Sequence, residues 1–244
     1  MPILLTVFYI IGITAEGVTG ALSAGRQKMD VFGVMAIAVL TALGGGSVRD
    51  MVLDTYPLTW VEHPHYLVIV MVAAALTMSF SFLMHHFRVL FLLLDAVGLA
   101  AFSVLGTRVA LDAGYGFIIA AVASVITGVF GGVLRDLMSD RVPLVFSQEL
   151  YASIAVATTA VYMVLLAVGV PESITMVVAL FFALIARCLA MYYQKSLPIF
   201  EYRGADQPVD PRIRLSYRLL RRGMSQAKGK LTPRRSKGCD EAGD

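Results

Sequence analysis

Apolar runs of about twenty residues recur from residue 3 to residue 193, separated only by short polar breaks. A hydrocarbon core of about 30 Å takes about 20 residues of helix to cross. The runs have that length: 3–22, 31–54, 66–84, 89–108, 115–138, 149–169 and 173–193. The breaks carry turn and polar residues: Gly25-Arg26-Gln27-Lys28, Tyr56-Pro57, His63-Pro64-His65, His85-His86, Asp112-Ala113-Gly114, Arg141-Val142-Pro143 and Val170-Pro171-Glu172. The expected fold is therefore an all-α integral membrane protein with seven transmembrane helices. Composition agrees: 58% of the 244 residues are hydrophobic and 15% charged, against about 45–50% and about 25% in soluble domains. No basic region precedes the first run and no small-residue cleavage site follows it, so it reads as a retained helix rather than a signal peptide.

Charge is unevenly placed. Residues 194–244 hold 12 Lys/Arg and 6 Asp/Glu, whereas residues 1–193 hold 8 and 11. Lysine and arginine collect in cytoplasmic loops. With the basic tail inside, seven spans leave the N-terminus outside. Arg26, Lys28, Arg88 and Arg141 then fall in inside loops and only Arg108 outside. A tail beside anionic lipid is the expected reading, and nucleic-acid binding is not expected. Cys188 and Cys239 are too few for a disulfide scaffold, and His63, His65, His85 and His86 lie in polar breaks, so no metal or other cofactor is expected. An enzyme is not expected either: the chain offers no nucleophile–base pair, and its glycine run lacks the Lys-Ser/Thr of a phosphate loop.

The chain repeats itself at a gapless offset of 86. Gly12, Gly20 and Thr41 match Gly98, Gly106 and Thr127. A denser block follows: Gly45-Gly46, Arg49-Asp50, Asp54 and Pro57-Leu58 match Gly131-Gly132, Arg135-Asp136, Asp140 and Pro143-Leu144. Three spans per copy invert the second copy relative to the first, an arrangement found in transport folds with sites near the midplane. The expected divisions are a first three-helix repeat (1–86), a second (87–170), a seventh helix (171–195) and a basic, disordered cytoplasmic tail (196–244).

The repeated motif carries the candidate chemistry. Span two contains Thr41, Gly44, Gly45, Gly46, Arg49 and Asp50; span five contains Thr127, Gly128, Gly131, Gly132, Arg135 and Asp136. Glycine costs about 0.8–1 kcal/mol relative to alanine in a helix interior. Such runs invite a break, which at membrane depth must face protein or water. Freed carbonyls then suit a cation and the following N–H groups an anion. The other reading is close helix packing through small residues. Arg49 and Asp50 project about 100° apart on a helix, so each is expected to find a partner elsewhere: Arg49 with Asp136, and Arg135 with Asp50. Such pairs would be a gate or a structural lock. Glu16 and Asp95 add carboxylates within spans one and four. Four acids against two arginines favour a cation or zwitterion over an anion.

These motifs, together with Ser23 to Gly33 and Leu94 to Leu99, resemble the bacterial branch of the trimeric intracellular cation (TRIC) channel family, whose bacterial members are also labelled glycine transporter domain proteins. The resemblance covers about residues 5–200. It implies two inverted three-helix repeats plus a seventh helix, a homotrimer in the bacterial inner membrane, and a pore in each subunit passing potassium or sodium. It also implies helices two and five bent at the glycine motif. Phe130 departs from the pattern, standing where Gly44 stands in the first copy, and is expected to narrow or stiffen the second break. A secondary transporter of a small zwitterion such as glycine, and a structural or lipid-interacting membrane protein, are the competing functions.

Overall fold

A computed structural model describes residues 3–80, 87–147 and 150–193. The described residues form helices without strands: α1 (Ile3–Arg26), α2 (Val31–Val52), α3 (Thr59–Glu62), α4 (His65–Ser79), α5 (Phe87–Asp112), α6 (Phe117–Met138), α7 (Leu144–Ser147), α8 (Tyr151–Ala167) and α9 (Glu172–Tyr193). The basic tail, His85 and His86 lie outside the described residues. Five helices, α1, α2, α5, α6 and α9, are long and apolar enough to cross a bilayer. Two expected spans carry shorter helices among the described residues. The run at 66–84 gives the 15-residue α4 and the run at 149–169 the 17-residue α8, about 22 and 26 Å at 1.5 Å per residue.

The helix ends are legible in local chemistry. Five helices finish with a residue in the left-handed region, Lys28, Asp54, Gly114, Asp140 and Gly169. In each case the next backbone N–H returns to a carbonyl five residues back, as in Thr55 to Asp50 and Arg141 to Asp136, both 2.9 Å. This is the Schellman ending, which satisfies carbonyls that the last turn leaves open. Glycine adopts the left-handed conformation without penalty at Gly114 and Gly169; aspartate is among the few other residues enriched there. At the other end of α2, Asp30 Oδ1 accepts from the Gly33 N–H at 2.7 Å, the usual N-cap bond.

Four helices make the centre, with α1 against α2 and α5, and α6 against α2 and α5. Outside them, α4 packs on α1 and α2, α8 on α6 and α5, and α9 on α5 and α8. The register of the central contacts is antiparallel. A Cβ added to Gly45 would collide with the Thr127 carbonyl oxygen, and one added to Gly131 with the Thr41 carbonyl oxygen. Residue number rises along α2 as it falls along α6. Likewise a Cβ on Gly12 would meet the Phe102 ring, and one on Gly98 the Glu16 carboxyl, so α1 and α5 also run in opposite directions. The two copies of the motif thus pass each other head to tail.

Candidate functional site

Each copy of the motif builds the same hairpin. Arg49 donates from Nε and Nη2 to Asp50 Oδ1 at 2.8 and 2.5 Å. Asp50 Oδ2 accepts from the backbone N–H and hydroxyl of Thr59, both 3.1 Å. In the second copy, Arg135 Nε donates to Asp136 Oδ1 at 2.9 Å, and Asp136 Oδ2 accepts from the Leu144 N–H at 3.0 Å. Each aspartate therefore holds its neighbouring arginine with one oxygen and the first N–H of a one-turn helix, α3 or α7, with the other. Orphan N–H groups at a helix start favour such a carboxylate.

The expected pairs Arg49 with Asp136 and Arg135 with Asp50 are not formed. The antiparallel register puts Arg49 level with about Ala123 of α6, about thirteen residues, or about 20 Å, from Asp136 along the axis. No side chain spans that distance. The long arginine stem instead folds back onto the adjacent carboxylate, although their Cβ directions diverge.

The helices also run unbroken through the glycines, from Val31 to Val52 and from Phe117 to Met138, contrary to the expected interruption. The glycines sit in two mirrored layers. A Cβ on Gly20 would lie 2.8 Å from Thr41 Oγ1, and one on Gly106 would lie 2.6 Å from Thr127 Oγ1. The hydroxyls of Thr41 and Thr127 donate back to the Ile37 and Ala123 carbonyls, both at 2.6 Å. Gly20, Thr41 and Gly131 form one layer, and Gly106, Thr127 and Gly45 the other. Gly128 packs against Leu99 and Ser103. Gly44, Gly46 and Gly132 do not touch a facing backbone; their nearest neighbours are side chains of Leu134, Arg49 and Arg135. Phe130, expected to narrow the second break, points outward and is 37% exposed.

Beyond the hairpins the two halves differ. Arg135 Nη1 also donates to Asp95 Oδ1 at 2.9 Å and Thr19 Oγ1 at 3.2 Å, and lies 3.6 Å from Glu16 Oε2. Its guanidinium stands 4.5 Å over the Phe91 ring. Glu16, Asp95 and Arg135 are almost fully buried, at 2%, 0% and 0% exposed. Arg49 has Asp50 and Thr59, and its charge is felt at Tyr9, whose ring packs with those of Tyr66 and Phe102. Two residues outside the expected site join it. Tyr151 on α8 lines the cleft beside Gly132 and Arg135, and Arg187 on α9 stacks 4.4 Å over its ring. A lone arginine inside an apolar span was the available signal. Among the described residues no cluster of metal ligands occurs.

Fold and site together define an all-helical membrane protein in which two antiparallel copies of one Gly-Gly-x-x-Arg-Asp hairpin meet at the centre of a bundle. The family model described as Glycine transporter matches the chain twice, over residues 6–81 and 92–167. A solved TRIC channel orthologue from Rhodobacter sphaeroides is 34% identical, with a TM-score of 0.75 over 78% of this chain and 98% of that one. The chain belongs to this family, the bacterial TRIC channels and their glycine-transporter-labelled relatives. The UPF0126 inner membrane protein YadS of Escherichia coli is 36% identical over 197 residues, 78% of this chain and 93% of that protein. A UPF0126 membrane protein of Vibrio cholerae is 36% identical over 200 residues, 81% of this chain and 83% of the relative.

Proposed function

We propose that this protein is a channel through which monovalent cations, chiefly potassium, move down their gradient, with one path inside each subunit of a homotrimer. One observation carries the reading: two buried guanidinium–carboxylate half-sites lie at opposite ends of a single helix crossing inside the bundle. Charges this deep in a membrane protein are costly and mark pathways by default. Glu16, Asp50, Asp95 and Asp136 outnumber Arg49 and Arg135, which suits a cation. The trimeric cation channel of Rhodobacter sphaeroides supports the permeant class and the assembly. The direct contacts of Gly45 and Gly131 with the facing helix then make this a closed conformation, and α2 and α6 must part for conduction.

In this reading α1–α4 and α5–α8 are inverted three-helix repeats, α9 stands outside them, and seven helices cross the membrane. The antiparallel passage of α2 by α6 supports the inversion. Ser23 Oγ and Gln27 Nε2 reach Ser139, at 3.0 and 2.7 Å, which brings the loops of Arg26, Lys28 and Arg141 to one end. The positive-inside bias assigns that end to the cytoplasm of the inner membrane, with the N-terminus outside and the basic tail against anionic lipid. Potassium or sodium is the passenger and no cofactor takes part.

A second reading, secondary transport of glycine, is favoured by the family's own description. Purified protein in liposomes separates the two. The channel reading expects potassium efflux that follows an imposed potential without added glycine. Saturable uptake of labelled glycine with no potassium flux would replace it with the transporter.

A further inference from the structure

The internal repeat allows each half of the molecule to serve as a control for the other. At the offset of 86, Glu16 corresponds to Phe102, Gly98 to Gly12, and Asp95 to Tyr9. The antiparallel packing of α1 on α5 realises this correspondence in space. Glu16 of α1 occupies the slot opened by Gly98 of α5, where an added Cβ would collide with its carboxyl. Phe102 of α5 occupies the matching slot over Gly12 of α1, where an added Cβ would lie 2.7 Å from the ring. One slot thus takes a carboxylate and its mirror takes a phenyl ring.

The charged half is not balanced. Glu16 from α1, Asp95 from α5 and Asp136 from α6 surround the Arg135 guanidinium. Tyr151 from α8 and Arg187 from α9 complete the groups around this cluster. Among the described residues, α2 and α4 bring no charged side chain into contact with Glu16. Among the described residues, all three carboxylates face the Arg135 guanidinium, a surplus of negative charge in a buried site, while Arg187 stacks on Tyr151. Glu16 and Asp95 meet the same nitrogen of Arg135, and each has one buried oxygen, Glu16 Oε1 and Asp95 Oδ2, without a hydrogen-bond partner. A buried charge carries a large penalty unless it is paired, and a buried acceptor unless it is hydrogen-bonded; Arg135 Nη2 and the Tyr151 hydroxyl of the same cluster are likewise without a hydrogen-bond partner and do not reach these two oxygens.

We propose that this half-site binds one monovalent positive charge, an alkali cation or a proton, held by Glu16 Oε1 and Asp95 Oδ2, and that the mirrored aromatic half-site binds none. The alkali-cation form deepens the channel reading and rests on it for the identity of the ion. The test reads binding rather than flux, so the two can fail separately. Purified protein in detergent is melted in potassium chloride and in N-methyl-D-glucamine chloride of equal ionic strength, and across pH in the potassium-free buffer. The wild type is expected to gain Tm with potassium at fixed pH, which assigns an alkali cation, or with falling pH without potassium, which assigns a proton. Glu16→Gln is expected to lose that response; Asp95→Asn is expected to lose it too, and it serves if the first variant does not fold. A wild type indifferent to both potassium and pH overturns the site. So does a folded Glu16→Gln or Asp95→Asn variant that keeps the full response.

Discussion

Arg135 is the side chain on which the buried polar groups of α1, α5 and α6 converge, and its loss exposes three acids at once. Replacing Arg135 by leucine leaves Glu16, Asp95 and Asp136 without their common counter-charge. Breaking a buried pair in this way costs about 3–5 kcal/mol. Arg49→Leu leaves a single carboxylate, Asp50, still held by the Thr59 N–H. Thermal unfolding in detergent should therefore rank Arg135→Leu well below Arg49→Leu; equal losses would mean that Glu16 and Asp95 do not depend on Arg135. The double variant Arg49→Asp with Asp136→Arg should show the summed loss of its two singles, because about 20 Å of helix separates the sites. Partial rescue would contradict the observed register. The sequence named Glu16, Asp95 and both Arg-Asp pairs, since charges inside apolar runs are conspicuous. The partners were hidden because the 86-residue offset relates the copies without saying how they pass each other.

At the scale of the helix, the glycine motif divides by what each glycine touches. Gly45 and Gly131 face a carbonyl oxygen of the opposing helix, whereas an added Cβ would meet only side chains at Gly46 (Arg49, 3.9 Å) and Gly132 (Arg135, 3.4 Å, and the Tyr151 hydroxyl, 3.7 Å). Gly45→Ala and Gly131→Ala should each cost about 1–3 kcal/mol by forcing α2 and α6 apart. Gly46→Ala should be neutral or gain up to about 1 kcal/mol from helix propensity. Denaturation midpoints of the three alanine variants check the order, and a Gly46 variant as damaged as Gly45 would overturn it. Leucine at Gly45 or Gly131 is expected to reduce the yield of folded protein itself, since its side chain meets backbone. The apolar runs and the motif were readable from residue patterns. The unbroken helices were not, because a glycine pair looks the same whether it opens a helix or admits a neighbour, and only the facing Thr127 and Thr41 carbonyls distinguish the two.

Over the whole molecule, family and helical membrane class were legible in the apolar runs and the doubled Gly-Gly-x-x-Arg-Asp. The lengths of α4 and α8 were not, because the apolar runs extend past Ser79 and Ala167, where these helices end. The proposed topology places Lys28 and Arg141 at the cytoplasmic end, beside Ser139. Single cysteines at these two positions, in a background lacking Cys188 and Cys239, should react with an impermeant maleimide only after the cells are opened. Labelling of either in intact cells would reverse the orientation. The central claim is passive cation conduction, and a planar bilayer containing the purified protein under a potassium gradient tests it most directly. The account predicts unitary current steps without added glycine, with a reversal potential that follows the potassium gradient. A bilayer that stays silent over the same folded protein, while liposomes take up glycine to saturation, would contradict it.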